Sequence, residues 1–259
     1  ASLQWGCNSV STNLHAWHFV VKAQQQGAKV IVIDPYRSRT AKQADWHIRI
    51  KPGTDGALAM AMMNVIIDEG LQDQDYVDNH TVGFDKLAER AKQRTPEWAA
   101  EITGLSVDEI RTFAREYATV SPAAIRIGVA VEKNWGGGQA IRAISCLPSL
   151  VGAWRKAGGG MYQMTFWEHP YALNVMSRPD LIPKGTRVVN NIQIGRALTG
   201  EIPLDPPLKS MMCWNTNPVT QAPEGDKIIE GLLREDLFLV SAENFMSDTA
   251  AYADIVLPA

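Results

Sequence analysis

Trp5-Gly-Cys-Asn8-Ser-Val10-Ser-Thr12, near the start of the chain, returns in altered form as Trp214-Asn-Thr-Asn217-Pro-Val219-Thr-Gln221. Trp5 and Trp214, Asn8 and Asn217, and Val10 and Val219 are each 209 positions apart (214 − 5, 217 − 8, 219 − 10). The same offset carries Thr40-Ala-Lys-Gln-Ala-Asp45 onto Thr249-Ala-Ala-Tyr-Ala-Asp254, and Asp34 onto Glu243. A tryptophan, an asparagine, an acid and a T-A-x-x-A-D hexamer kept in register without an insertion mark a duplicated structural unit.

Around the first copy the pattern is strand, loop, helix, strand. Helical spacing over Asn13 to Gln26 ends at Gly27, a residue suited to a C-terminal cap. Lys29-Val-Ile-Val-Ile-Asp34 is a β-branched run closed by an acid, as expected of a parallel strand buried on both faces. A short strand near His47 to Ile50 leads to the turn Pro52-Gly-Thr-Asp55 and a helix from about Gly56 to Gly70. Polar helices follow to Tyr117, one opened by Thr95-Pro96 and another by the capping box Ser106-Val-Asp-Glu109. A strand over Ala123 to Ile127 precedes a Gly136-Gly-Gly138 turn and an apolar helix to about Trp154. The stretch from Gly158 to Thr186 reads as irregular. Thereafter a helix (Asn190 to Leu198), a strand (Lys209 to Cys213), a helix (Glu224 to Arg234) and a strand (Leu237 to Val240) rebuild the second copy. Alternating strands and helices predict an α/β fold with mostly parallel sheets; the family resemblance described below implies a Rossmann-like dinucleotide-binding domain at 1–188 and part of a related domain at 189–259.

Such a unit points to nucleotide binding. In open α/β sheets ligands lie at the carboxyl ends of strands, where helix N-termini offer free amides and a positive dipole to anions. Gly6, Ser9 and Ser11 are small enough to let backbone approach a diphosphate, and Asn8 and Asn217 tolerate turn geometry and can hydrogen-bond a ligand. Asp34 and Glu243 stand where dinucleotide folds place a ribose-binding carboxylate. Asp55 can either accept two N–H bonds from a guanine edge or cap the helix that follows it. For Asn8 and Asn217 the alternative to a ligand contact is a loop-stabilising side chain. Neither copy contains G-x-G-x-x-G, which disfavours an ordinary NAD- or flavin-binding domain.

Taken in order, W-G-C-N-S at Trp5, I-D-P-Y-R-S-R-T-A at Ile33, P-G-T-D at Pro52, E-G-L at Glu69, W-N-T-N-P at Trp214 and S-D-T-A-A-Y-A-D-I-V-L-P at Ser247 resemble the molybdopterin oxidoreductases of the dimethyl-sulfoxide-reductase type, a group that includes formate dehydrogenases and nitrate reductases. The resemblance covers essentially the whole chain. It implies a molybdenum or tungsten ion held by bis(molybdopterin guanine dinucleotide), one dinucleotide on each of two related α/β domains. The first would meet Trp5, Gly6, Asn8, Ser9, Thr12, Asp34, Arg37, Gly53 and Asp55; the second, Asn215, Asn217, Ala242 and Glu243. Gly128 and Glu132 would fall in a loop running close to the pterins, although glutamine is the commoner residue at the position of Glu132. Tyr36 and Ser9 depart from the usual small or basic residue and the usual proline. The resemblance further implies that the metal's side-chain ligand and any 4Fe–4S cluster belong upstream, and a C-terminal barrel downstream. A molybdenum-free relative, such as the large iron–sulfur subunit of an NADH dehydrogenase complex, is the alternative, disfavoured by retention of both nucleotide loops.

Composition narrows the rest. A net charge of −3 argues against nucleic acid as main partner, and no apolar run is long enough to span a membrane. Cys7, Cys146 and Cys213 lie far apart, without zinc or cluster spacing, and read as reduced packing thiols. Cytoplasm and periplasm both remain open, the former slightly favoured. His15 and His18, three apart on a helix without an acid beside them, read as surface or packing histidines. Trp167-Glu-His169 is a candidate funnel lining, Met60, Met62 and Met63 are expected in a helix core, and no residue is a convincing catalytic acid, base or nucleophile. Both ends read as cut. The expectation is therefore a segment whose partners are the missing domains of its own polypeptide and possibly electron-transfer subunits.

Overall fold

The computed structural model describes residues 1–163 and 171–259; the Trp167-Glu-His169 candidate lies outside them. The chain forms two compact units, Ala1–Tyr171 and Ala172–Ala259. The first holds five parallel strands: β1 (Ser2–Trp5), β2 (Val30–Ile33), β3 (Trp46–Ile48), β4 (Ala124–Ile127) and β5 (Gly160–Tyr162). Their order across the sheet is β3-β2-β1-β4-β5. The order therefore reverses between β1 and β4, and a topological switch point opens at their carboxyl ends.

Eight helices accompany this sheet: α1 (Ser9–Thr12), α2 (Leu14–Gln25), α3 (Asp55–Asp68), α4 (Gln74–His80), α5 (Phe84–Lys92), α6 (Pro96–Thr103), α7 (Val107–Thr119) and α8 (Gly137–Leu150). Side-chain caps set several of their starts. Asn13 accepts from Ala16 N–H at 3.3 Å, Thr95 from Trp98 N–H at 3.3 Å and Ser106 from Glu109 N–H at 3.1 Å. The four residues of β2, all β-branched, are buried because helices cover both faces of the sheet. One core gathers Leu3, Trp5, Ile31, Ile33 and Ile48 from the strands, Leu58, Met62, Met63 and Ile66 from α3, and Ile110 and Phe113 from α7. Met60 packs at its edge, and Cys146 is half-buried on α8 rather than central.

The second unit pairs β6 (Ser210–Trp214), β7 (Phe238–Glu243) and β8 (Ile255–Pro258) in the order β6-β7-β8, again parallel. It also holds α9 (Leu173–Ser177), which is exposed, and with α10 (Ile194–Leu198), α11 (Pro218–Gln221) and α12 (Gly225–Leu232) it builds a smaller core of Leu198, Cys213, Ile228, Leu232, Leu237 and Leu239. The duplication holds element by element at the same offset: α1 returns as α11, and a 3-10 turn at Ala41–Gln43 returns at Ala250–Tyr252.

Two elements, β5 and α9, form within the stretch that reads as irregular. The three residues of β5 begin on glycine and, among the described residues, pair only with β4, leaving no periodicity to detect. Residues 172–188 are exposed and, among the described residues, contribute to neither core.

Candidate functional site

The site of the first unit forms where the loops after β1, β2 and β4 meet. Gly6, at φ +60°, turns the chain out of β1, and its N–H donates to Ile33 O at 2.8 Å. Gly128, the residue after β4, donates to Trp5 O at 2.8 Å. A Cβ on Gly128 would lie 1.9 Å from Gly6 O, and one on Gly6 2.8 Å from Val131 Cγ2. These two glycines allow the loops flanking the switch point to touch backbone to backbone.

Trp5 and Asp55 support this floor from beneath. Trp5 is fully buried, and its indole N–H donates to Asp55 Oδ1 at 2.7 Å. Asp55 is the first residue of α3, and Thr54, not Asp55, holds the capping position. Burial pushes the Asp55 carboxyl above the ordinary carboxylate range, partly offset by the Trp5 N–H. Beside it, Gly53 takes φ +76°, and a Cβ there would lie 3.6 Å from Asn134. The sequence thus marks Asp55 as chemically special, while the bond that positions it spans 50 residues.

At the end of β2, Asp34 accepts from Tyr36 N–H at 2.8 Å, and His47 Nε2 donates to the Asp34 carbonyl at 2.8 Å. Burial raises the Asp34 carboxyl above its usual range, against the lowering effect of the Tyr36 amide. Arg37 is exposed two residues beyond Pro35. Ser9 turns inward, its hydroxyl donating to Gln4 Oε1 at 2.8 Å, so it offers a ligand its backbone rather than its side chain. Thr12 back-bonds to Asn8 O at 3.1 Å. Glu132, exposed in the loop after β4, accepts from Gln163 Nε2 at 3.0 Å.

Asn8 has a structural task. Its Oδ1 accepts from Thr40 Oγ1 at 3.0 Å, and Thr40 Oγ1 in turn accepts from Val10 N–H at 2.9 Å. The second unit repeats this wiring atom for atom. Thr249 Oγ1 donates to Asn217 Oδ1 at 2.7 Å and accepts from Val219 N–H at 3.1 Å. Val30 N–H donates to Asp45 at 2.8 Å, and Leu239 N–H to Asp254 at 2.7 Å. Asn215 takes the left-handed turn of Gly6, at φ +52°, and its N–H reaches Ala242 O at 3.0 Å. Glu243 closes β7 as Asp34 closes β2, accepting from Asn244 N–H at 2.9 Å. Thr40 and Thr249, both fully buried, are the residues that sequence reasoning left out of the site. The signal was their place at the head of the repeated hexamer.

The remaining candidates stay outside this arrangement. Cys7 is buried with its thiol toward Arg126 O at 3.4 Å, and desolvation pushes it up to about 11, which leaves it protonated and unreactive at neutral pH. His15 and His18 are exposed on α2. A cavity of about 460 Å³ opens beside Gly53, Thr54 and Gly136 and is lined further by Met60, Arg90, Trp98 and Arg142. Among the described residues, no helix is long and apolar enough to cross a membrane.

A family model described as molybdopterin oxidoreductase matches residues 3–259. The chain is 44% identical over 256 residues to the probable oxidoreductase YoaE of Bacillus subtilis, covering 98% of the chain and 37% of that protein. To formate dehydrogenase H of Escherichia coli it is 31% identical over 280 residues, covering 98% of the chain and 38% of the relative. Among solved structures, acetylene hydratase from Pelobacter acetylenicus superposes with a TM-score of 0.70 at 27% identity, over 99% of this chain and 40% of that one. The chain thus spans about two fifths of the length of these relatives.

Proposed function

Because the chain belongs to the molybdopterin oxidoreductase family, we propose that it is the cofactor-holding segment of a molybdenum or tungsten oxidoreductase, each copy of its repeat cradling one guanine dinucleotide of a bis(molybdopterin guanine dinucleotide). The observation that carries this reading is the wiring shared by the two loops, Asn8 with Thr40 and Asn217 with Thr249, each at the carboxyl end of a parallel sheet.

The donor set fits such a group. In the first unit the small residues Gly6 and Ser9 leave room for a diphosphate, Asp34 stands at the position of a ribose acceptor, and Arg37 adds an exposed cation. Asp55 keeps Oδ2 beside the Oδ1 that Trp5 occupies, an acceptor for a guanine N–H. In the second unit Asn215, Asn217 and Glu243 offer the corresponding groups. Gly128 and Glu132 edge the switch point, where the pterin end would lie. When bound, the metal supplies the redox chemistry. The residues of this chain bind, orient and shield the dinucleotides. The metal's protein ligand, a 4Fe–4S cluster and electron-transfer subunits belong to parts of the enzyme outside this chain, which by itself should retain cofactor weakly and turn nothing over.

Asp34→Ala in the intact enzyme tests the reading. It removes a ribose acceptor at the rim of the fold, so metal content should fall while the thermal midpoint stays within a few degrees. Unchanged metal and pterin content would contradict the assigned role, and absence of molybdenum and tungsten from the unmutated enzyme would contradict the function.

A further inference from the structure

Helices α5 and α8 of the first unit both pack on α3. Two cavities, of about 460 and 600 Å³, lie between them and share Leu87, Arg90, Arg142 and Cys146, so they form one groove. Residues of α8 and its start line this groove from Gly136 to Leu150, along a helix of 14 residues. That length is about 21 Å. The apolar lining is half-buried: Met60 of α3, Leu87 of α5, Trp98 and Ile102 of α6, and Ala143 of α8. Val82, which lines the second cavity, is fully exposed.

The charge around this floor has one sign. Lys86 and Arg90 stand four residues apart on α5, the interval that stacks side chains along one helix face, and Arg94 follows at the same interval just past the helix end. Arg142 joins them from α8. No aspartate or glutamate lines either cavity, and Asp85 and Glu89, the acids of α5, lie off the groove. Among the described residues, none of these four cations has a carboxylate within ion-pair distance. Elsewhere in the same unit Arg111, Arg115 and Arg155 are each paired with a carboxylate, at 2.7, 2.8 and 2.9 Å. Arg94 instead stacks on Trp98, 4.9 Å from the ring centroid. A chain of net charge −3 thus gathers four unpaired cations around an apolar floor. Their mutual repulsion is a cost that an anionic occupant would relieve.

We propose that this groove docks an acidic amphipathic helix of a partner protein. Three features select that occupant. The groove runs the length of α8, which suits a helix laid lengthwise better than a small organic anion. The four-residue interval of Lys86, Arg90 and Arg94 matches acids at every fourth position of such a helix. The floor of Met60, Leu87, Trp98 and Ile102 takes apolar side chains from the adjoining stripe, which a nucleic-acid backbone does not carry. The rim cations then set partner choice and encounter rate, and the apolar floor sets residence time. The inference is independent of the cofactor, so a protein without metal would leave it standing.

Fluorescence anisotropy with the intact protein tests it, using a labelled helical peptide of alanine and leucine with glutamate at every fourth position. Binding should saturate, and Arg90→Glu combined with Arg142→Glu should weaken it by about tenfold or more, as facing charges turn repulsive. A peptide with lysine for each glutamate should reverse the order and prefer the doubly substituted protein. Both arginines are exposed, so the substitutions spare the core. On the unmodified protein, the glutamate peptide should slow alkylation of Cys146, which lies where the two cavities meet. Lack of saturable binding, equal binding to both proteins, or Cys146 alkylation indifferent to the peptide would overturn the proposal. So would displacement of the peptide by single-stranded DNA at equal concentration, the behaviour of a phosphate-backbone site.

Discussion

Gly128 is the residue on which the closeness of the two site loops depends. An alanine there would drive its Cβ to 1.9 Å from the Gly6 carbonyl oxygen, a backbone atom that cannot swing aside. Gly128→Ala should cost about 3 kcal/mol or more in urea unfolding, at the upper end of overpacking penalties. Gly138, on α8 with open space around its Cα, is the contrast. There alanine should be neutral or stabilising, by up to about 1 kcal/mol from helix propensity. Asp55 behaves differently, because its cost is electrostatic. Burial raises its folded-state pKa, so the folded chain takes up a proton before the unfolded chain does. Its ionised form therefore lowers stability above the folded pKa, and that cost fades as pH falls toward the unfolded value. Asp55→Asn keeps an oxygen for the Trp5 N–H. Thermal unfolding should show it more stable than the parent at pH 7, with the gain gone below about pH 4, near the ordinary aspartate pKa. A gain that persisted at low pH would contradict this account. A buried carboxylate kept at such a cost is what a ligand-recognising residue looks like.

Among the elements, the strand–loop–helix unit was legible because its markers sit on the offset themselves. Trp5 and Trp214, Asn8 and Asn217, and the two hexamers could be matched without knowing what any of them touches. What they touch was not legible. Asn8 meets Thr40 across 32 residues, and Asn217 meets Thr249 across the same span, contacts no local pattern encodes. Helices α1 and α11 have four residues each, too short for a 3.6-residue period to register. Asn217 accepts from both Thr249 N–H and Thr249 Oγ1, whereas the Asn8 side chain accepts from Thr40 Oγ1. At about 1 kcal/mol for each lost bond, Asn217→Ala should loosen its loop more than Asn8→Ala loosens the first. Hydrogen exchange should show faster amide turnover at Val219 and Thr249 in the former, and at Val10 in the latter. Equal effects would mean that the second Asn217 bond contributes nothing.

For the molecule as a whole, the fold class follows from alternating strands and helices and the family from the resemblance of several ordered motifs, and the match to the family model over residues 3–259 agrees with it. The interior limits of the two units were harder to read, because residues 172–188 serve neither core and carry no hydrophobic period. The central claim is that two copies of one loop hold two nucleotides. Counting them is the most direct test: mild acid hydrolysis of the intact enzyme, with released GMP measured against molybdenum plus tungsten. The account predicts two GMP for each metal ion; metal without GMP, or one GMP for each metal, would contradict it.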